Sequence, residues 1–248
     1  MNYNEDLFTI DVQLKREKKY WDKKLEGFEG KFTFHYDLIN SDNNTKELDH
    51  KEFVIDSELY EQVFLKLCKG SELHFYMVLV GALNILVYNY NQTEEILIQS
   101  DLLKRNIYKN NSFLYFKTRI LPDLNLKQFL LNIQQEINIS NKYPNFLSHS
   151  LIEDHNYKYG SLSGILVNCN IVSFNEILNY ESIDIVVSVV KIKNQLILNL
   201  DFDSNLYLNE TIHRIGKILL TILNHFTTDL EVITINEIDL CTAEEKHQ

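Results

Sequence analysis

The sequence predicts an α/β fold in which a mixed β-sheet packs against helices, and three observations carry that prediction. Alternating apolar runs, which read as strands, are interleaved with segments whose apolar residues recur every three or four positions, which read as helices. Two alternating runs, Ile183 to Val190 and Leu196 to Phe202, flank Lys193 and Asn194 as a hairpin does, while Gly164 to Val172 is rich in apolar residues like a buried strand. Hydrophobic residues make up 45% of the 248 and charged residues 24%, enough apolar material for a well-filled core.

Taken in order, Leu14, Tyr20, Trp21 and Leu25 lie among Lys and Glu in a stretch ending at Gly27. This is an amphipathic opening helix with a glycine stop and a basic outer face suited to solvent. The polar stretch from Ser41 to His50 follows, with Asp42, Asn43 and Asn44 at its most mobile point. Lys51 to Ile55 alternates like an edge strand, and Glu58 to Cys68 repeats at helical spacing. Ser71 is the expected N-cap of a helix from Glu72 to Tyr90, apolar nearly all round and so buried on several sides. The apolar run within it, Leu73 to Val87, includes His74 and Asn84 and falls short of the ~20 residues a membrane span needs.

Ile96 to Leu102 and Phe113 to Ile120 then read as strands. Leu126, Phe129, Leu130, Ile133 and Ile137 mark a helix that Asp123 is placed to cap. Ile212, Ile215, Leu219, Ile222, Leu223 and Phe226 fall on one face of a closing helix, and Val232 to Ile238 reads as a short strand. With no internal repeat and no linker, residues 1–248 are expected to form a single domain.

A net charge of −11 speaks against a nucleic-acid partner, since phosphate binding needs a net positive face; it suits solubility and a basic protein partner. Seven Gly and two Pro leave little material for phosphate-cradling loops, and no Walker-type loop or Gly-x-Ser-x-Gly elbow occurs. Cys68, Cys169 and Cys241 are odd in number and widely spaced, as structural thiols in a reducing cytosol are. The first residues, Met1 to Asp11, contain Glu5 and Asp6 and no apolar signal-peptide core, so a cytoplasmic protein with no membrane partner is expected.

Candidate chemistry is sparse. His149, Asp154 and His155 fall close together and could be a base with a carboxylate orienter, or metal ligands, although no flanking Cys or third acid completes a metal set. A solvated helix or loop with incidental polar residues is the plainer reading. His213 and His225 belong on the polar flank of the last helix, and His74 is expected in the core as a packing neighbour. Asn168 and Asn170 share one face of a buried strand, where each amide needs a hydrogen-bond partner or costs about 1–3 kcal/mol. They could bind an amide or be met by neighbouring strands. Tyr157, Tyr159 and Tyr180 flank this strand and are read as packing residues.

Collinear phrases resemble the condensation domains of nonribosomal peptide synthetases. Tyr20-Trp21-Asp-Lys-Lys-Leu25 is similar to the Tyr-Trp-x-x-x-Leu helix that opens the family's C-terminal subdomain, and Ser71-Glu-Leu-His-Phe75 to the entry into its buried helix. Glu95 to Ser100 with Lys104-Arg105 resembles the strand ending in Gly-Arg, with Lys104 in place of Gly. Asn111-Ser112-Phe113 to Arg119 matches part of Phe-Val-Asn-Thr-x-x-x-Arg, and Leu126 to Ile137 stands where the family has Ser-Phe-x-x-Leu-Leu. Asn141-Lys-Tyr-Pro144-Asn-Phe146 resembles His-Gln-Asp-x-Pro-Phe without its His and with one residue more between Pro and Phe. Leu166-Val-Asn168-Cys-Asn170 resembles Phe-Asn-x-Gln-Asn. Leu206 to Phe226, with Ile238 to Glu244, resembles the last helix and the exit into the adenylation domain.

The resemblance implies a chloramphenicol-acetyltransferase-like half and a channel lined by Asn168, Asn170, Ser100 and Arg105. It implies no cofactor of the chain's own, only the phosphopantetheine of a peptidyl carrier protein, with an adenylation domain as the other partner. The family's His-His-x-x-x-Asp-Gly motif belongs to its N-terminal subdomain, and no two of the eight histidines here are adjacent. A start at Met1 shortly before Tyr20 is therefore expected to mean that the catalytic half is missing. Three roles are implied: a noncatalytic structural or docking module, half of a split acyltransferase completed in trans by a His-His-bearing partner, or an acyl or pantetheine binder. Self-association through the vacated face is a further expectation.

Overall fold

The computed structural model describes residues 3–28, 31–38, 46–100, 114–143, 162–168 and 183–241. Alternation builds six strands: β1 (Leu48–Ile55), β2 (Glu95–Ser100), β3 (Leu114–Arg119), β4 (Ile165–Asn168), β5 (Ile185–Ile192) and β6 (Gln195–Asp203). They form one sheet in the order β1-β6-β5-β4-β2-β3. β4 runs parallel to β2 and to β5, and the other neighbours are antiparallel, so the sheet is mixed as expected. β1 is an edge strand, as its alternation suggested, but begins earlier, at Leu48. The β5–β6 hairpin turns at Lys193, whose φ of 56° places it in the left-handed region.

The helices are α1 (Tyr3–Lys24), the short α2 (Ser57–Leu59), α3 (Glu72–Asn91), α4 (Leu126–Ser140) and α5 (Asn209–His225). α2 runs into a π-helical segment, Tyr60–Leu67, where ordinary helical spacing was expected. α1 is followed by Gly27 at φ 74°, the predicted glycine stop. Ser71 caps α3 as predicted, its hydroxyl accepting from the His74 N–H at 3.3 Å. The cap of α4 is Asn125 rather than Asp123, because Asn125 Oδ1 accepts the Gln128 N–H at 2.9 Å. Val232 to Ile238 is not a strand: Thr234 and Glu237 form a capping box around the 3₁₀ turn Ile235–Glu237.

One face of the sheet carries the main core. Ile96, Ile98, Ile165, Val167, Ile185, Val187, Leu198, Leu200 and Phe202 point from it toward α3, α4 and α5, and Phe75 to Val87 of α3 are buried without a break. α3 has 20 residues and a mean hydropathy of 1.4 over its most apolar window, so by length and composition it could cross a membrane, where the apolar run had been read as too short. Its burial beneath the sheet accounts for the same composition as a core helix. On the opposite face, α1 sets Trp21 and Leu25 against Leu97, Tyr115 and Leu162. The Trp21 indole N–H is satisfied by the Tyr143 carbonyl at 3.0 Å.

Candidate functional site

The pleat decides which polar residues can meet. Ile165 and Val167 of β4, Ile185 and Val187 of β5, and Leu198 and Leu200 of β6 face the helices, so Asn168, Ser188 and Asn199 project from the other face. Register lines them up: Asn168 opposes Ser188, Ser188 opposes Asn199, and Asn199 opposes Glu52 of β1. Asn168, Ser188 and Asn199 are 5%, 0% and 6% exposed. Ser188 Oγ and Asn199 Oδ1 have no hydrogen-bond partner among the described residues. Sequence reasoning found Asn168 and missed Ser188 and Asn199, because only strand register brings them into one row.

Ser100 does not join Asn168. It opposes Val167 on the helix side of the sheet, where its hydroxyl bonds the Tyr76 hydroxyl of α3. The two channel candidates therefore lie on opposite faces. Arg105 and Asn170 lie outside the described residues, as do His149, Asp154, His155, Tyr157, Tyr159 and Tyr180.

The remaining histidines separate cleanly. His74 is exposed in the first turn of α3, not buried as expected, since the cap at Ser71 fixes that turn at the surface. His213 tilts against the Phe53 ring with centroids 5.7 Å apart, and His225 Nε2 meets the Asp239 carbonyl at 3.0 Å. His50, which the sequence did not mark, sits across from Asp201: its Nδ1 donates to Asp201 Oδ1 at 2.6 Å, and Nε2 lies 3.2 Å from Glu52 Oε1. Partial burial lowers its pKa, but the two carboxylates outweigh burial and leave it raised. Both ring nitrogens are thus engaged by carboxylates.

A second polar cluster anchors the chain before β1 to the sheet end. Asp184, 5% exposed, accepts from Lys31 Nζ at 2.6 Å and from the Tyr36 hydroxyl at 3.0 Å. Lys46 Nζ donates to the Ile183 carbonyl, and burial lowers its pKa against the pull of Asp184 and Asp203. Tyr207 bonds Thr33 Oγ1 at 3.0 Å, and burial raises its pKa. A Cβ on Gly164 would collide with the Asp184 carboxyl and stand 2.8 Å from Thr33 Oγ1, so the approach of β4 to this cluster requires glycine. Among the described residues, the cluster is a set of ion pairs and hydrogen bonds that ties residues 31–38 to the sheet end.

No family model matches the chain. It is 21% identical over 267 aligned positions to bacitracin synthase 1 of Bacillus licheniformis, a match that covers 96% of this chain and 5% of that protein. Among solved structures, a holo four-domain nonribosomal peptide synthetase bound to AMP and glycine superposes with a TM-score of 0.77 at 13% identity, over 93% of this chain and 20% of that one. The starter condensation domain of rhizomide synthetase gives 0.69 at 14%, covering 96% of this chain and 57% of the domain. The X-domain in complex with OxyB from teicoplanin biosynthesis gives 0.73 at 12%, covering 92% and 56%. The chain thus spans little more than half of such a domain's solved chain, and the resemblance read from the sequence is borne out: it has the fold of a partial condensation domain of the nonribosomal peptide synthetase family.

Proposed function

We propose that the chain serves a nonribosomal peptide synthetase as a noncatalytic structural or docking module beside an adenylation domain or a peptidyl carrier protein. The observation that carries this reading is the combination of a condensation-domain fold with a sequence in which no two histidines are adjacent. Aminolysis of a carrier-bound thioester passes through a charged tetrahedral species and needs a placed base or donor. His50, the histidine held between two carboxylates, has both ring nitrogens engaged by Asp201 and Glu52. Any phosphopantetheine near the chain would belong to a carrier protein.

The test is a mass-spectrometric condensation assay with donor-loaded and acceptor-loaded carrier proteins and the purified chain, run with and without a His-His-bearing N-terminal half added in trans. The docking reading expects no product in either case from a well-folded chain. Product only with the added half would replace it with a split acyltransferase.

A further inference from the structure

We propose that β1 and the adjoining sheet face form a docking surface for one extended segment of another protein, a strand that presents apolar residues at both ends of one face and Lys or Arg between them. The inference stands on exposed residues and does not depend on the condensation reading.

β1 is the first strand of the sheet order, so among the described residues its outer edge has no neighbouring strand. Phe53 and Ile55 point into the core, which turns Leu48, His50, Glu52 and Val54 onto the opposite face. Leu48 is 59% exposed and Val54 56%. Val54 opposes Ile197 and Ile197 opposes Val190, so apolar side chains continue across three strands, and Ile192, 52% exposed, extends the strip. An apolar strip of this kind on an open edge is what a protein that stays unpaired blunts with lysine or proline. The one lysine of β1, Lys51, turns to the helix side, where its Nζ donates to the Asn209 carbonyl, so no lysine or proline stands on the exposed face of the strand.

Charge selects the occupant. Between Leu48 and Val54 lie His50 and Glu52, with Asp201 across from His50, and the trio remains net negative even when His50 is protonated. A second copy laid on this face would oppose like charges in a chain that already carries −11. A strand added to β1 would place every second side chain on the same face at about 6.6 Å intervals. Apolar residues would then lie beside Leu48 and Val54, with a Lys or Arg between them beside Glu52 and Asp201.

The experiment is fluorescence anisotropy of the full chain with a labelled peptide matched to the eight residues of β1, Val-Thr-Lys-Thr-Arg-Thr-Val-Thr, whose one face runs apolar, basic, basic, apolar. A peptide with Glu at the basic positions, and a basic one N-methylated along its pairing edge, serve as comparators. Binding of the basic peptide should exceed that of both comparators about ten-fold or more. It should weaken about as much in Val54→Asp and in Glu52→Lys, and stay unchanged in Val232→Asp, a site distant in sequence and also exposed. Should circular dichroism show Val54→Asp unfolded, Val54→Thr is read in its place. Equal binding of all three peptides, no binding at millimolar peptide, or indifference to Val54→Asp and Glu52→Lys would overturn the proposal. So would a dimer in sedimentation that Val54→Asp dissolves, since it assigns the face to a second copy.

Discussion

Gly216 of α5 lies against the ring of Phe53 on β1: a Cβ at Gly216 would come within 2.7 Å of Phe53 Cε1 and closer still to the adjoining ring carbons. The edge strand is held to the helix layer through this glycine. Gly216→Ala should therefore destabilise the protein by about 1–3 kcal/mol through overpacking, although alanine is the better helix former by about 1 kcal/mol. Urea unfolding of Gly216→Ala, Phe53→Leu and the double variant checks it. A double variant less than additive, by about 0.5 kcal/mol or more, is the expected signature of the contact.

Asp184 and Lys31 form a mostly buried pair, their side chains 6% and 13% exposed. Removing one partner leaves the other charge desolvated. Asp184→Ala should cost about 3–5 kcal/mol and Asp184→Asn less, since the one amide oxygen can still accept from Lys31 or from Tyr36. Equilibrium unfolding reads both, and equal stability of Asp184→Ala and the parent would show that the cluster holds nothing together.

The elements that were legible are those whose cause is local. Ser71 stands one residue before an apolar helix, and Lys193-Asn194 stands between two alternating runs; both were readable and both are found. The Val232 to Ile238 turn misread as a strand because Val232, Ile233 and Ile235 mimic strand composition, while the Thr234-x-x-Glu237 capping signal that decides the matter was in view. The π-helical Tyr60–Leu67 keeps an apolar stripe close to ordinary helical spacing, so periodicity could not separate the two.

The polar sites were mostly illegible for the opposite reason. His50 and Asp201 are 151 residues apart, and Lys31 and Asp184 are 153 apart. Only register and topology join them. The same holds for Ser100 and Asn168, which share a resemblance to one channel but are turned to opposite faces by the pleat.

Among the described residues, buried Ser188 Oγ has no hydrogen-bond partner, so its hydroxyl is desolvated without one. Ser188→Ala should leave stability unchanged or raise it by up to about 1 kcal/mol, where a satisfied buried serine would lose a comparable amount. A thermal melt of the variant decides it, and a loss above about 1 kcal/mol would mean that the hydroxyl has a partner in solution.

The His50 pair makes stability depend on pH in a stated direction. Partial burial lowers its pKa, but the bonds to Asp201 and Glu52 leave it above the ordinary value of about 6.5. The folded protein therefore binds the proton more tightly than the unfolded chain does. The contribution is fully present below about pH 6.5 and fades as pH rises through the higher folded value. Because the imidazole is 44% exposed, solvent screening keeps the contribution below about 1 kcal/mol. His50→Gln retains a polar side chain without the charge, so the parent should exceed it in stability by more at about pH 6 than at about pH 9. Urea midpoints at both pH values measure the difference, and a gap that stays constant between them would rule out the charged pair as its source.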